Sequence, residues 1–176
     1  VINARFENSS KAAALNLAIE KQGNREYDNV AIMDADNIAA PDFLQEINDA
    51  YDFGVHAIQA HRTSKGGTTD VAVLDAVSEE INNAIFREGH VRAGFSSALS
   101  GSGMAFDYSW FARRMPMVVT AGEDKELELL LLRDEIYIDY LADVFVYDEK
   151  IASTSAFYRQ RRRWIAAQFS LLGKGA

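Results

Sequence analysis

The fold of this 176-residue chain is decided by residues 29–36, which read NVAIMDAD. The apolar run 29–33 is typical of a short strand buried in a sheet, and it leads directly into Asp34 and Asp36. In open α/β sheets, ligands bind at the carboxyl ends of the strands. This stretch therefore predicts an α/β sheet with two carboxylates at its functional edge.

Helical and strand-like segments alternate on both sides of this stretch. Helices are predicted over residues 11–22, 41–51, 70–88, 123–134 and from Thr154 or Ser155 onward, and strands over 55–62, 104–106, 136–140 and 144–147. Such alternation implies a mostly parallel sheet covered on both faces, a three-layer αβα sandwich. Since 48% of the residues are hydrophobic, residues 1–176 can form one globular domain with a sizeable core.

The helix caps and apolar stripes follow from local sequence. Ser9 or Ser10 can cap the first helix, because a hydroxyl satisfies a free N–H group there. Phe43, Leu44 and Ile47 are expected to face the core from the second helix. The long third helix carries apolar residues at spacings of three and four: Leu74, Val77, Ile81 and Ile85.

Charge and composition exclude several classes of protein. The formal net charge of -8 argues against a general nucleic-acid binder, which would present a basic surface. The arginines are nevertheless concentrated at Arg159, Arg161, Arg162 and Arg163, a pattern that favours an anion site or a membrane-proximal patch. The chain has no cysteine, so disulfides and thiolate metal sites are excluded, whereas a carboxylate metal site is not.

No segment of the sequence approaches the roughly 18 to 20 apolar residues that a membrane helix needs, and no signal peptide is visible. The polypeptide is therefore expected to be soluble. It begins at Val1 without an initiator methionine and stops after residues 171–176 without a closing element. These two features lead us to expect a fragment of a longer protein.

The two carboxylates after the first strand are candidate metal ligands. Asp34 and Asp36 can share a divalent cation, because magnesium typically takes one or two carboxylates together with phosphate oxygens. The alternative is a polar loop with an Asx-turn, since aspartate is a common turn former. The buried strand in front of the pair favours the metal site.

Two further groups have both a structural and a functional interpretation. Glu123 and Asp124 begin a helix, where free N–H groups favour carboxylates; either capping or a general base explains them. Residues 101–103, Gly-Ser-Gly, allow a close approach of backbone to a ligand or simply form a turn. Lys11, at a helix start, is either a surface charge or a phosphate contact.

The basic segment 160–164 is predicted to lie in a helix. At helical spacing Gln160, Arg163 and Trp164 share a face, whereas Arg161 and Arg162 turn aside toward membrane or solvent. The shared face can hold a phosphate beside a flat ring, because arginine offers phosphate a planar fork of donors. The alternative is an amphipathic helix with a solvated basic edge and a buried tryptophan.

Taken in chain order, these motifs resemble the catalytic core of glycosyltransferase family 2. The matching motifs are Lys11-x-x-Ala14-Leu15-Asn16, Asp34-Ala35-Asp36, Gly101-Ser102-Gly103-Met104, Glu123-Asp124 and Gln160-x-x-Arg163-Trp164. The last motif is similar to that of the processive, membrane-embedded branch, which includes cellulose, hyaluronan, chitin and poly-N-acetylglucosamine synthases. The resemblance covers about residue 5 to residue 169.

This resemblance implies a GT-A type fold and an inverting transfer from a nucleotide-diphospho-sugar, taken as a UDP-sugar, to a glycan acceptor. A divalent cation, Mg²⁺ or Mn²⁺, is implied as cofactor. Asp36 would lie nearest the metal and the diphosphate, with Asp34 contacting the nucleotide or the metal. Lys11 would lie near the nucleotide, and Gln160 and Arg163 would steady the departing diphosphate.

The acceptor side is implied in the same way. Asp124 would be the general base for the acceptor hydroxyl, and Trp164 would stack on the acceptor sugar. Gly101, Gly103 and Glu123 would complete the acceptor site.

The sequence departs from the family in lacking the usual N-terminal strand, a Val/Ile-rich run into a Pro-containing loop that helps hold the nucleotide base. The membrane helices expected after Gln-x-x-Arg-Trp are also missing. We therefore expect an excised catalytic segment of a protein at the cytoplasmic face of the cell membrane. A non-catalytic nucleotide-sugar-binding module and a carbohydrate hydrolase are the competing interpretations, although a hydrolase needs a carboxyl pair flanking the scissile bond.

Overall fold

The computed structural model describes residues 2–6, 10–23, 25–67, 69–120 and 122–172. The strands are β1 (Asn29–Ile32), β2 (Ile38–Ala39), β3 (Ala57–Ser64), β4 (Met104–Asp107) and β5 (Asp139–Asp148). The helices are α1 (Lys11–Gln22), α2 (Phe43–Asp52), α3 (Asp70–Asn82), α4 (His90–Arg92), α5 (Tyr108–Arg114), α6 (Glu123–Arg133) and α7 (Thr154–Leu172). A π-helical segment, Asn83–Gly89, joins α3 to α4, and a 3₁₀ turn, Met115–Met117, follows α5.

The five strands form one mixed sheet in the order β1-β4-β3-β5-β2. β3 and β5 are parallel, whereas β4 runs antiparallel to both β1 and β3, and β2 runs antiparallel to β5. The prediction of a mostly parallel sheet is therefore wrong. Helix–strand alternation does not encode strand direction. The long connection through α3, the π-helical segment and α4 begins and ends at the same end of the sheet, so β4 runs back along β3.

The reversed direction of β4 determines what lies beside the end of β1. Met104, the first residue of β4, pairs with Ile32, the last residue of β1. The Gly101–Gly103 turn that leads into β4 therefore lies next to Asp34, which follows β1. A parallel β4 would have placed this turn at the far end of the sheet.

Apolar side chains cover both faces of the sheet, because successive residues of a strand point to opposite sides. Met104 and Phe106 of β4 pack with α1, α5 and α6 on one face, whereas Ala105 packs with α2 on the other. The second face also contains Phe43 and Ile47 of α2. The predicted three-layer α/β architecture is confirmed.

Helix α3 and the π-helical segment bury their polar side instead of their apolar side. The buried polar residues are Asp75, Glu79, Asn83 and Arg87. The apolar residues at spacings of three and four are half exposed: Leu74 66%, Val77 50%, Ile81 52% and Ile85 53%. Ion pairs cause this inversion, since Glu79 pairs with Arg87 at 2.9 Å and Asp75 pairs with Arg161 at 2.9 Å.

Several helix ends differ from the predictions. Ser10 caps α1 by accepting a hydrogen bond from the Ala13 N–H at 3.1 Å, whereas Ser9 lies outside the described residues. The hydroxyl of Ser153, not of Thr154 or Ser155, accepts from the first turn of α7. In α2, Phe43 and Ile47 are buried as expected, but Leu44 is 72% exposed.

The strand predictions also need correction. The two strands predicted over 136–140 and 144–147 are parts of one strand, β5, whose pairing with β3 shifts register between Ala60 and His61. The two-residue strand β2 was not predicted, because it carries no apolar pattern of its own. None of the described helices is long and apolar enough to cross a bilayer.

Candidate active site

Lys11, the first residue of α1, joins three elements at the end of β1. Its ammonium group contacts the Asp34 carboxylate at 2.5 Å and the Glu123 carboxylate at 3.6 Å, and it donates to the carbonyl of Gly101. The ammonium group thus donates hydrogen bonds to Asp34 and Gly101 and forms a longer ion pair with Glu123. Lys11 therefore ties the Asp-x-Asp turn to α6 and to the Gly101–Gly103 turn.

Ser102 holds the start of the Asp-x-Asp turn in place. Its hydroxyl accepts a hydrogen bond from the backbone N–H of Asp34 at 3.0 Å and donates one to the side-chain oxygen of Asn37. Ser102 is fully buried. Ser102 was not among the predicted site residues, although Gly101 and Gly103 on either side of it were; the available signal was one hydroxyl between two glycines, immediately before a strand.

The glycines on either side of Ser102 are required by the backbone. Gly101 has φ +84° and Gly103 has φ +65°, in the left-handed region that side chains disfavour. A Cβ atom on Gly103 would approach Val146 Cγ2 to 3.1 Å, and one on Gly101 would lie 3.7 Å from Asp124 Oδ2. The turn thus packs closely against β5 at Gly103 and lies near the Asp124 carboxylate at Gly101.

Glu123 and Asp124 form the first turn of α6, after Gly122, which provides no side-chain cap. Glu123 is 9% exposed, and burial raises the pKa of its carboxyl. Asp124 adds to the rise, while the N–H of Glu123 and the Lys11 ammonium oppose it. Asp124 is half-buried, and its Oδ1 accepts from the Lys125 N–H at 2.8 Å. Asp124 is thus the more accessible of the two carboxylates.

Asp36 remains available to a ligand. It is exposed, and its side chain accepts one hydrogen bond, from the Asn37 amide at 3.1 Å, while Lys65 donates to its backbone carbonyl. Asp34, in contrast, already shares one carboxylate oxygen with Lys11. Asp36 therefore offers the freer carboxylate of the pair.

The described residues contain no group of three or more His, Asp or Glu side chains that could hold a metal by themselves. Two carboxylates are nevertheless the protein contribution that magnesium takes when phosphate oxygens complete its shell. Asp36, with the second oxygen of Asp34, fits such a shared site. The donor set thus suits a cation that arrives with a phosphorylated ligand.

An open cleft of about 430 Å³ runs between α1 and β1. It is lined by Lys11, Ala14, Leu15, Ala31, Ile32, Met33, Asp34 and Ala35. The lining combines apolar side chains with the charged Lys11 and Asp34. A ligand with both an apolar part and a charged part would match it.

Helix α7 orients its arginines differently from the prediction. The Arg161 guanidinium donates to Asp75 at 2.9 Å and to Ser78 at 3.1 Å, both on α3. It also lies over the rings of Phe157 and Trp164, 4.9 Å and 4.7 Å from their centroids. Arg161 therefore anchors α7 and does not turn toward membrane or solvent as expected; Arg162 is exposed.

Gln160, Arg163 and Trp164, which we call the α7 motif residues, do not share one environment. Trp164 is half-buried against Arg161, and the Gln160 side-chain oxygen is buried without a hydrogen-bond partner. Arg163 is exposed and forms no ion pair with any residue of the described part of the chain. The unsatisfied Gln160 oxygen and the unpaired Arg163 are both polar groups that lack a partner within the described chain.

The structure thus brings together five of the candidate residues and leaves others apart. The assembled group, the Lys11 cluster, consists of Lys11, Asp34, Gly101, Glu123 and Asp124. No hydrogen bond or ion pair connects it to the α7 motif residues within the ranges that the structure describes. Chemically, the cluster offers three carboxylates beside an open cleft: Glu123 is buried, whereas Asp34 and Asp124 are partly exposed.

The sequence model of the family described as Glycosyl transferase family group 2 matches residues 29–172, which include β1, the Asp-x-Asp turn, the Gly101–Gly103 turn, α6 and all of α7. No curated protein matches the chain.

Proposed function

The chain belongs to glycosyl transferase family 2 and is a glycosyltransferase, and from this premise we propose that it catalyses an inverting, metal-dependent transfer from a nucleotide-diphospho-sugar to a glycan. Residues 1–176 would act as a single catalytic domain. The observation that carries this proposal is the Lys11 cluster. It places the Asp-x-Asp turn and the first turn of α6 within the reach of one ammonium group.

The donor would bind beside the Asp-x-Asp turn. Asp36 is the exposed carboxylate, and the cleft between α1 and β1 begins at Asp34. Mg²⁺ or Mn²⁺, held by Asp36 and Asp34 together with the diphosphate, would supply positive charge against the negative charge of the leaving group. A UDP-sugar is the donor that the family resemblance favours.

The acceptor would bind near α6, where Asp124 is the candidate general base. Its carboxylate would take the proton of the acceptor hydroxyl while the hydroxyl oxygen bonds to the anomeric carbon. The bond between that carbon and the diphosphate breaks at the opposite side of the sugar, which inverts the configuration. Glu123 is less suited to this role because it is buried and already faces Lys11.

Arg163 and Gln160 would contact the departing diphosphate, and Trp164 would stack on the acceptor. Support comes from the exposed Arg163 guanidinium, which has no partner among the described residues; Gln160 would contact the diphosphate through its side-chain N–H donors. Gly101 and Gly103 would let backbone approach the acceptor. The motif also supports assignment to the processive polysaccharide-synthase branch, working at the cytoplasmic face of the cell membrane.

Nucleotide binding tests the donor side of the proposal. Isothermal calorimetry of UDP with Mn²⁺ should show metal-dependent binding, and Asp36→Ala should abolish it, because the freer carboxylate is lost. Asp42→Ala, which changes an exposed aspartate without a side-chain cap bond, is the matched control and should bind normally. Absence of metal-dependent binding in the unmutated protein would overturn the proposal.

Sugar transfer tests the acceptor side. Asp124→Asn should keep nucleotide binding and lower kcat by about 10²- to 10⁴-fold, the range that general-base catalysis contributes. Unchanged kcat in Asp124→Asn would exclude this residue as the base.

A further inference from the structure

Arg62, on β3, contacts the backbone just before the Gly101–Gly103 turn. Its guanidinium donates from Nη1 to the Ser100 carbonyl at 2.8 Å and from Nε to Asp148 Oδ2 at 2.7 Å. The Arg62 side chain is 14% exposed and that of Asp148 is 6% exposed. Arg62 therefore binds the Ser100 carbonyl through Nη1 and Asp148 of β5 through Nε.

Further charged groups surround the Arg62–Asp148 pair. Lys150 lies 2.9 Å from Asp148 and 3.8 Å from Glu79, and Arg87 pairs with Glu79 at 2.9 Å. Burial favours a raised pKa for Glu79, but Arg62, Arg87 and Lys150 outweigh it, so the pKa of Glu79 is lowered. These opposite charges surround the Arg62 guanidinium and favour one orientation of its side chain.

Gln59, three residues before Arg62 on β3, also binds the segment that contains Ser100. Its amide donates to the Ser102 carbonyl at 3.0 Å, and its side-chain oxygen accepts from the Ser100 N–H at 2.8 Å. Gln59 is fully buried. Residues 100–103 are thus bound from the sheet side by two polar side chains of one strand.

The opposite side of this segment meets the Lys11 cluster. The Gly101 carbonyl accepts from Lys11, the Ser102 hydroxyl holds the Asp34 backbone, and the space beside Gly101 is closed by Asp124. A small displacement of residues 100–103 would consequently shift the Asp-x-Asp turn relative to α6. In enzymes, a misplacement of about 1 Å can lower the rate about 10²-fold.

Packing alone does not explain a charged group at Arg62. Burying ions is unfavourable, and apolar residues of similar volume often hold elements together as well or better. What an apolar residue cannot do is donate a directed hydrogen bond to the Ser100 carbonyl. We propose that Arg62 is a positioning residue for glycosyl transfer, which fixes the turn that connects the donor-side Asp34 to the base-side Asp124.

This inference rests on the proposed function, and its test uses Arg62→Met with Arg92→Met as the matched control. Arg92 is 79% exposed in its side chain and pairs with Glu88, four residues earlier in the chain. Steady-state transfer kinetics, corrected for the folded fraction measured by circular dichroism, should show kcat lowered about 10- to 100-fold in Arg62→Met alone. Hydrogen–deuterium exchange of residues 99–104 should accelerate in the same variant.

Arg62→Lys separates positioning from folding. It preserves the buried positive charge beside Asp148 and Glu79, but a single nitrogen cannot reproduce the two-edged contact of the guanidinium with Ser100 and Asp148. Its kcat should lie between those of the unmutated protein and Arg62→Met, with melting temperature close to normal. If Arg62→Met does not fold, Arg62→Lys decides, since normal kcat there overturns the inference.

The outcomes distinguish this inference from the proposed function. Normal kcat per folded molecule in Arg62→Met, with an active unmutated protein, overturns the role of Arg62 and leaves the proposed function intact. An unmutated protein that transfers no sugar from any nucleotide donor overturns the proposed function and this role together. Lowered kcat with accelerated exchange, both confined to the Arg62 variants, supports positioning.

Discussion

The two halves of the candidate site are held in different ways. The Lys11 cluster is joined by contacts among α1, β1, the Gly101–Gly103 turn and α6, with Lys11 reaching Asp34, Gly101 and Glu123. The α7 motif residues lie on a helix whose polar anchor on α3 is Arg161. The Lys11 cluster is held together by contacts among its own residues. The α7 motif residues include polar groups without partners among the described residues.

This difference indicates that ligand binding must fix the side chains of the α7 motif residues, whereas those of the Lys11 cluster are already fixed. Catalytic electrostatics are most effective when the charged groups are fixed before the reaction, as in the Lys11 cluster. Arg163 is exposed and has no partner among the described residues, so a bound phosphate would have to fix its side chain. We therefore expect substitutions in the Lys11 cluster to change the free protein, and substitutions of Arg163 to change only the reaction.

Among the substitutions that test this comparison of the two halves, we expect the largest effect at Arg163. Arg163→Met should lower kcat about 10²- to 10³-fold, the range found when one donor that stabilises developing charge is removed. The melting temperature should stay unchanged, because Arg163 is exposed and unpaired within the described chain. Transfer assays and thermal melts, with exposed Arg159→Met as the control, measure both. Normal kcat in Arg163→Met would contradict a role in the reaction.

The next effect is expected at Lys11. Lys11→Met leaves two carboxylates and the Gly101 carbonyl without their shared donor, which should destabilise the free protein by about 1–3 kcal/mol. Chemical denaturation without nucleotide measures this change, and Lys21→Met, an exposed lysine at the other end of α1, is the control.

The same Lys11 variant distinguishes two roles. A lysine that mainly contacts the nucleotide would leave the stability of the free protein as in Lys21→Met and would weaken only nucleotide binding. A lysine that ties the cluster would lower stability before any ligand is added. The first result would contradict the conclusion that Lys11 holds its half of the site together in the free protein.

The smallest effect is expected at Arg161. Arg161→Met removes the pair with Asp75 and should lower global stability by about 0.5–1 kcal/mol or less, because the Arg161 side chain is 26% exposed. Hydrogen–deuterium exchange should nevertheless accelerate across α7 and remain normal in β1. Exposed Arg162→Met is the control, and equal exchange in both variants would show that Arg161 does not anchor the helix.

Local sequence predicted most of the elements for identifiable reasons. The apolar run at 29–33 correctly predicted a strand, but β1 lies at the edge of the sheet and only Ile32 of it is buried. Ser10 was a cap because its hydroxyl lies three residues before a free N–H. Helix α3 was predicted in place, but its orientation was not, because ion pairs of its polar side, Glu79 with Arg87 and Asp75 with the distant Arg161, outweighed its apolar stripe.

The candidate site could be predicted only in part. Asp34, Asp36, Glu123 and Asp124 were found because carboxylates after a strand or at a helix start have a recognisable local setting. Ser102 could not be found in this way, since its role depends on contacts with Asp34 and Asn37, more than sixty residues away in sequence. The same is true of Gln59 and Arg62, which look like ordinary strand residues until β4 and β5 are placed beside them.

The sequence by itself determined the α/β class, the family and the identity of the acidic groups, because apolar periodicity and motif order are properties of the chain. Only the tertiary structure decided that β4 runs antiparallel between β1 and β3, so that the Gly101–Gly103 turn meets Asp34. It also decided that, among the described residues, Arg161 and not Arg163 forms an ion pair. Strand direction and charge pairing depend on residues far apart in sequence, and those meet only when the sheet is assembled.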